Sequence, residues 1–423
     1  MESSAILDTQ PKSKLTHLFQ SLGPGIMMAT AAVGGSHLVA STKAGAIFGW
    51  QLALLILLVN FLKYPFFRAG VTYTMGTGKS LIAGYAQMGK GYLWLFTLLS
   101  AISAVINTAA LAIFSASLLG LFLPFDLSLS VLSGIVIIAC LAILLRGHFN
   151  ALDGLAKIIM GVLTVTTLIA VVVAANQVPS VPADFVSPSP WTIASIGFIV
   201  ITMGWMPAPI EISCLTSLWL KRQRQEIKVT NQSALFDFNV GYIITALLAI
   251  AFLALGALVL HGQTDSLEKS GIAFSHQLVG MYASTIGEWS RILIAVIAFG
   301  CIFGSTITVI DGYARALAEA KAQLQNPDAD QAPSHNNWML LISACAMAVI
   351  LFFVSSLIAM LNFAMVLAFM TTPIFALLNY KLVNGSNLPV GLALSKKMKV
   401  LSWFGLTYLF GFLALFIWWK WLI

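Results

Sequence analysis

The amino-acid sequence predicts an all-α polytopic membrane protein. Of its 423 residues, 59% are hydrophobic and only 9% are charged, whereas soluble globular domains carry about 25% charged residues. This small number of charged residues cannot cover a water-facing surface, and most of the chain must therefore face lipid. In lipid, only helices and closed barrels satisfy their backbone hydrogen bonds. The apolar runs are long and continuous and lack the short alternating pattern of barrel strands. A helical bundle is therefore expected.

Eleven apolar segments are long enough to cross a bilayer. With the N-terminus in the cytoplasm, most of the 22 Lys and Arg residues fall in cytoplasmic segments, as the positive-inside rule requires. The odd number of spans then predicts an external C-terminus, in the plasma membrane or, in a bacterium, the inner membrane. The predicted spans are residues 22–42, 46–70, 92–121, 129–146, 154–175, 191–219, 235–260, 283–318, 338–357, 360–381 and 400–421.

Two of these spans contain residues that interrupt a helix. The first carries Gly-Gly-Ser-His at residues 34–37, and the sixth carries Met-Pro-Ala-Pro at residues 206–209. Proline removes a backbone donor and crowds the preceding turn, and glycine lowers helix propensity. Because spans one and six open two sets of five helices, breaks at equivalent positions predict an inverted repeat with a substrate site at mid-membrane.

The breaks also define the expected domain organisation. Residues 1–21 are expected to form a cytoplasmic segment, and residues 22–423 a single transmembrane transporter domain. Within that domain, the first repeat covers about 22–175, the second about 191–381, and one extra helix about 400–421.

Several segments resemble the NRAMP divalent-metal transporters. They are Leu-Gly-Pro-Gly at residues 22–25, Ala-Gly-Ala-Ile-Phe-Gly-Trp at 44–50, Met206-Pro207 at the second break, and Gly-Ser-Thr-Ile-Thr at 304–308. The resemblance covers nearly the whole chain. It implies a LeuT-type fold of five plus five helices, with helices 1 and 6 broken and a substrate path between the breaks.

The residues that bind metal in that family are only partly present. Its first-helix signature, Asp-Pro-Gly-Asn, corresponds to residues 34–37, so the resemblance places Gly34 at the ligating aspartate and His37 at the ligating asparagine. The methionine of the sixth helix is retained as Met206, whereas the histidine that follows it corresponds to Ala208. Because a hard divalent ion is usually held by anionic oxygen, these changes predict a non-standard metal site.

The family's proton pathway is altered as well. Its acidic positions in the third helix correspond to Ala104 and Asn107, and its paired arginines at the start of the ninth helix correspond to Asn336 and Asn337. A proton path needs titratable groups. The sequence therefore predicts altered or absent proton coupling.

Residues near the two breaks are the candidates for substrate binding. His37 and Met206 offer an imidazole and a thioether, a soft pair that suits Cu(I) or Zn²⁺. The alternative is a histidine that is hydrogen-bonded to released carbonyls, with Met206 as packing. The candidate substrate-binding residues are Gly34, Gly35, Ser36, His37, Met203, Met206 and Glu211, of which His37 and Met206 are the candidate metal ligands.

Two acidic residues inside spans are candidates for coupling, since buried ionisable groups in membranes are usually functional. Glu211 lies one turn beyond the second break and could be the counter-charge of a cation or a proton acceptor; the alternative is a pair with Lys157 or another cation of the inner leaflet. Asp311 is the second candidate, although Arg315, four residues on, is its natural helical partner.

Asp153 and Lys157 share the same i,i+4 spacing, and with Asp237 they are expected to be structural.

The sequence therefore predicts a secondary transporter in the lipid bilayer that moves a small inorganic cation, with protons as the candidate coupled ion. The alternative is a small organic solute, an amino acid or amine, because Gly34 and Gly35 leave space and opposed half-helix ends suit a zwitterion. No nucleophile–base set lies on a cytoplasmic loop, so an enzyme is not expected. No cofactor and no nucleic-acid partner is expected either.

Overall fold

The computed structural model describes residues 21–176, 185–262, 271–326, 334–353 and 357–421. Every regular element in these ranges is a helix, and nine of the helices there are long and apolar enough to cross a membrane. The nine are Ala53–Thr77, Lys90–Phe122, Leu129–Arg146, Asp153–Ala175, Asn231–Leu260, Glu288–Gln325, His335–Phe352, Leu357–Gly385 and Lys396–Lys420. The protein is a multi-pass helical membrane protein, as predicted.

The two interrupted spans are not among these nine because each consists of shorter helices. Span one comprises Pro24–Ala32, a π-helix at Ser36–Ser41, and Thr42–Phe48. Span six comprises Ile196–Trp205 and Ile212–Glu226. Both predicted interruptions are therefore present. The total of eleven crossings, the inverted relation of the repeats and the orientation in the membrane remain predictions.

The boundary between spans one and two was predicted wrongly. Span one continues to Phe48, and span two begins at Ala53 and runs to Thr77, about seven residues later than expected at each end. Gly49 explains where span one ends, because its φ of 59° lies in the left-handed region, which glycine enters without steric cost. Lys43, one residue beyond the predicted end of the first span, therefore lies inside a helix.

Two other connections differ from the prediction. The predicted spans four and five are present as Leu129–Arg146 and Asp153–Ala175, but the connection between them is helical, so the helix continues from Leu129 to Ala175. No proline lies between the two spans to stop the helix. The 47 residues would extend for about 70 Å, more than twice the hydrocarbon thickness. The predicted loop at 261–290 contains a further helix, Gly271–Ile286.

Burial separates inner helices from outer ones. Between 56% and 67% of the residues are buried in the apolar stretches of Ala53–Thr77, Lys90–Phe122, Asn231–Leu260, Glu288–Gln325 and Leu357–Gly385. Only 28% are buried in the corresponding stretches of Leu129–Arg146, Asp153–Ala175, His335–Phe352 and Lys396–Lys420. The broken spans pack against the inner set. Both breaks therefore lie inside protein rather than against lipid, as irregular backbone at membrane depth requires.

The start of span one is bound to span seven (Asn231–Leu255). The Asp237 carboxylate accepts hydrogen bonds from the backbone N–H groups of Gly23, at 2.9 Å, and Gly25, at 2.6 Å. The two helices touch there, since a Cβ at Gly25 would overlap the Asp237 carbonyl and one at Gly241 would overlap the Gly25 carbonyl. An anionic cap on a helix N-terminus is stabilising, which gives Asp237 a structural role of the kind expected.

Candidate functional site

The backbone released at the first break is satisfied by neutral groups. The helix stops after Ala32, and the carbonyls of Thr30 and Val33 lie 2.7 and 2.8 Å from the Ser305 hydroxyl on span eight. The Cys301 thiol also donates to the Val33 carbonyl, at 3.3 Å. No ionised side chain is needed to hold this part of the chain.

His37 lies just beyond the first break, and both of its ring nitrogens have protein partners. Nε2 is 3.0 Å from the Thr245 carbonyl, and Nδ1 is 2.7 Å from the Ser36 hydroxyl. A carbonyl can only accept, so Nε2 must carry a proton. The Ser36 hydroxyl that contacts Nδ1 also has the Ala32 carbonyl as an acceptor, at 3.0 Å. A metal ion could bind His37 only if one of these hydrogen bonds were exchanged.

Met203 and Met206 lie in an apolar cluster beside the π-helix Ser36–Ser41, which follows the first break. Both side chains are fully buried, in a cluster that includes Phe48, Leu55 and Phe369. Among the described residues, the Met206 sulfur has one polar contact, with the Ser41 hydroxyl at the long distance of 3.9 Å. No described contact joins Met206 to His37. Their joint role as a metal pair remains a prediction.

The C-terminal end of the first half of span six contacts the side-chain nitrogen of Lys63. This residue belongs to span two, and its side chain is 0% exposed. Nζ donates to the Met203 carbonyl at 2.8 Å and to the Gly204 carbonyl at 3.2 Å. These are carbonyls of the last turn of Ile196–Trp205, where the helix carries a partial negative charge. The side-chain nitrogen of Lys63 therefore already occupies the carbonyl end of the second break.

The second half of span six begins at Glu211, which occupies the N-cap position of Ile212–Glu226. A carboxylate is favoured there by the partial positive charge of a helix N-terminus. Its Oε1 accepts from the Tyr313 hydroxyl of span eight, at 2.8 Å. Tyr313 in turn accepts from the Asn107 amide nitrogen of span three, at 3.0 Å.

Three polar atoms in this region lack a well-formed hydrogen bond within the described residues. They are Glu211 Oε2, Asn107 Oδ1 and the Ser103 hydroxyl oxygen, although Ser103 lies close enough to interact with the carboxylate. Ser103 and Asn107 are four residues apart and therefore share one face of span three. Buried polar atoms normally have partners, so this group of oxygens, here called the oxygen cluster, has capacity for a ligand.

A small cavity lies between the two breaks, next to the oxygen cluster. It offers about 20 Å³ to the centre of a water-sized sphere, which is room for about one water molecule. Its walls come from both breaks and from spans three and eight. The lining residues are Ala31, Ala32, Gly34, Gly35, Asn107, Leu111, Pro209, Ile212, Val309 and Tyr313.

Asp311 lies in a separate ionic cluster. Arg315 donates to its two oxygens at 2.7 and 2.8 Å, and the Trp219 indole N–H donates at 3.2 Å. The His335 ring is 3.4 Å away. The predicted pairing with Arg315 is therefore present. The same holds for Lys157, which bonds Asp153 at 2.5 Å and not Glu211.

The structure thus brings together only part of the predicted site. Gly34 and Gly35 line the cavity, and Glu211 adjoins it through Tyr313, whereas the ring of His37 is bonded to Ser36 and Thr245. No group of three His, Cys, Asp or Glu residues in the described ranges could hold a metal ion.

Tyr313 and Lys63 were missed as site residues. A lone lysine inside an apolar run was the available signal for Lys63. The sequence offered no comparable signal for Tyr313.

Two known proteins are similar to this chain in sequence, one over nearly its whole length and one over about half of it. A protein of Pasteurella multocida (strain Pm70), the uncharacterized protein PM0681, is 50% identical over 411 residues, which cover 96% of this chain and 94% of that protein. The divalent metal cation transporter MntH of Staphylococcus saprophyticus is 24% identical over 258 residues, covering 58% of this chain and 57% of that protein.

The fold is similar to that of a solved transporter. The manganese transporter of Eremococcus coleocola superposes with a TM-score of 0.72 over 96% of this chain and 88% of that chain, at 14% identity. The model of the natural resistance-associated macrophage protein-like family, Nramp, matches residues 25–419. The chain belongs to the Nramp family.

Proposed function

We propose that this protein is a secondary transporter of a divalent metal cation, which passes between the two helix breaks. The observation that carries the proposal is the buried Glu211 carboxylate, which accepts a hydrogen bond from the cavity-lining Tyr313 and has one oxygen without a well-formed hydrogen bond. A buried anion at a mid-membrane break is a natural counter-charge for a cation. The names of the relatives MntH and the manganese transporter support the same substrate class.

The chemistry of the oxygen cluster favours a hard cation over a soft one. A carboxylate, an amide carbonyl and a hydroxyl are ligands that suit Mn²⁺ or Mg²⁺, whereas Cu(I) prefers thiolate and thioether. The His37–Met206 pair would suit a soft ion, but both His37 nitrogens are engaged. With only one carboxylate, the site should bind its ion weakly, and water would complete the coordination.

The size of the cavity argues for an ion over the alternative of an organic solute. Room for about one water molecule fits a cation that exchanges its hydration shell for protein oxygens. An amino acid or an amine would need a larger space, or a rearrangement of both breaks.

Altered or absent proton coupling is the second part of the proposal. The positions that resemble the family's acidic residues in the third helix are the neutral Ala104 and Asn107. Asp311 is held by Arg315 and Trp219, so Glu211 is the remaining coupling candidate. If Glu211 binds the metal directly, proton binding and metal binding compete for one carboxylate instead of following separate paths.

Flux measurements in proteoliposomes test both parts. Mn²⁺ and Mg²⁺ are offered outside, with a metal indicator and a pH indicator inside. We expect saturable Mn²⁺ uptake down its gradient with little internal acidification. Internal acidification that follows Mn²⁺ uptake would contradict the altered coupling and leave metal transport standing. Absence of uptake from folded protein, together with uptake of amino acids or amines, would contradict metal transport.

A further inference from the structure

The second break holds a cation that belongs to the protein itself. The Lys63 ammonium is completely buried and donates to two carbonyls, those of Met203 and Gly204, at the C-terminal end of a half-helix. A buried charge in the middle of a membrane is expensive unless it has partners. The half-helix end supplies them, because its carbonyls carry a partial negative charge.

The carbonyl end that Lys63 occupies is fixed in place. A Cβ at Gly204 would overlap the backbone carbonyl of Met365 on span ten, so the two backbones are in direct contact. The helix that carries Lys63 also packs against span ten and the second half of span six. The two acceptors thus form a rigid pair, and such ends of broken helices are where transporters hold cations.

We propose that Lys63 is a specificity-determining residue, a tethered cation that fills the carbonyl site at the end of the first half of span six and keeps a free metal ion out of it. The inference rests on the proposed function for the class of the excluded ion, a divalent metal cation. Because Lys63 occupies the carbonyl site, the transported ion would bind at the oxygen cluster instead.

Removing the charge of Lys63 should therefore create or strengthen a metal site. The test is calorimetric titration of purified protein in nanodiscs with Mn²⁺. We expect Lys63→Met and Lys63→Gln to bind Mn²⁺ at least tenfold more tightly than the unaltered protein, or to bind one additional ion. Lys63→Gln is included because its amide can still donate to the carbonyls and should preserve the fold.

Two control variants separate charge at this site from charge in general. Lys63→Arg keeps the positive charge and should bind Mn²⁺ as the unaltered protein does. Lys43→Met removes a lysine charge from the helix Thr42–Phe48 of span one, a residue that does not donate to the carbonyl pair, and should also leave binding unchanged. An equal gain in Lys43→Met would overturn the proposal, because the effect would then be one of overall charge.

The outcomes distinguish this inference from the proposed function. If the unaltered protein binds no Mn²⁺ but the neutral Lys63 variants do, the inference stands and metal transport is contradicted. If the unaltered protein binds Mn²⁺ and neither neutral variant gains affinity or an ion, the inference is overturned and metal transport stands. If nothing binds Mn²⁺, both are overturned. Should neither neutral variant fold without ions, refolding on addition of Mn²⁺ supports the inference, and failure to refold overturns it.

Discussion

The two breaks solve the same physical problem with different chemistry. Each interrupts a helix inside a membrane protein and releases backbone groups that need partners. At the first break these partners are neutral, a hydroxyl of Ser305 and a thiol of Cys301. At the second break the Lys63 side chain donates to the carbonyl end, and Glu211 stands at the N-cap of the following helix, where its carboxylate accepts from Tyr313 and from no backbone amide of that helix.

This difference indicates which break responds to a charged substrate. Hydroxyl and thiol dipoles hold the first break whether or not an ion is present, so it serves as a fixed wall of the cavity. The second break contains two opposite charges whose balance a third charge would change. For the proposed metal transport we therefore expect the groups that sense a cation to lie on span six and its neighbours.

The largest effect is expected at Glu211. Replacement of Glu211 by Gln removes the anion nearest the cavity and should lower Mn²⁺ flux about 100-fold, equivalent to about 2.7 kcal/mol. The measurement is uptake in proteoliposomes at matched protein density. Glu226→Gln, on the same helix and in a surface pair with Arg222, is the control and should retain flux. Near-normal flux in Glu211→Gln would move the site away from the second break.

The role of Ser305 at the first break can be tested by measuring the stability of the fold. Ser305→Ala removes the hydroxyl that contacts the Thr30 and Val33 carbonyls and should destabilise the fold by about 2 kcal/mol, the cost of leaving a buried acceptor unsatisfied. The measurement is thermal unfolding in detergent. Ser133→Ala is the matched control, since that hydroxyl bonds only its own helix, at the Leu129 carbonyl. Equal melting temperatures for the two variants would mean that Ser305 does not support the break.

A smaller effect is expected on span three. Asn107→Ala removes an unpaired carbonyl oxygen and the donor to Tyr313, and it should raise the Mn²⁺ concentration for half-maximal uptake about tenfold, the lower end of the cost of losing a supporting ligand. Asn107→Asp restores an oxygen and adds charge, so it should bind Mn²⁺ at least as tightly as the unaltered protein. Weaker binding by both variants would assign Asn107 to packing alone.

The smallest effect is expected at His37. His37→Gln should change half-maximal Mn²⁺ uptake by less than about threefold, under about 0.7 kcal/mol, because the imidazole is committed to Ser36 and Thr245. Met206→Leu, which preserves volume in its apolar cluster, should behave in the same way. A loss of affinity in both variants would restore the soft pair predicted from sequence and make the first break part of the metal site.

Much of the architecture could be predicted from the sequence because it depends on local chemistry. Apolar runs of spanning length locate the long helices, and the Gly34-Gly35 and Pro207–Pro209 stretches locate both breaks. Helix ends were less predictable. Gly49 ends span one by adopting a positive φ, and an apolar run on either side conceals such a turn.

The partners of the site residues could not be predicted, because they depend on which helices pack together. His37 bonds a residue 208 positions away, and Glu211 one 102 positions away. Residue type alone made His37 and Met206 appear equivalent as ligands. Only packing assigns one to a hydrogen-bonded position and the other to an apolar cluster. Lys63 was visible as an isolated charge, but its acceptors lie 140 and 141 residues further along the chain.

The Asp237 carboxylate also has a consequence for how often the molecule changes conformation. For the start of span one to leave span seven, the amides of Gly23 and Gly25 must both separate from this buried anion. A hydrogen bond to a charged group contributes about 1.5–3 kcal/mol, so losing two unreplaced would hold the separated state to about one molecule in a hundred or fewer. Any exchange of substrate that requires this separation would then depend on a rare state. A ligand can populate the separated state only by binding it more tightly than the state in which span one and span seven are joined.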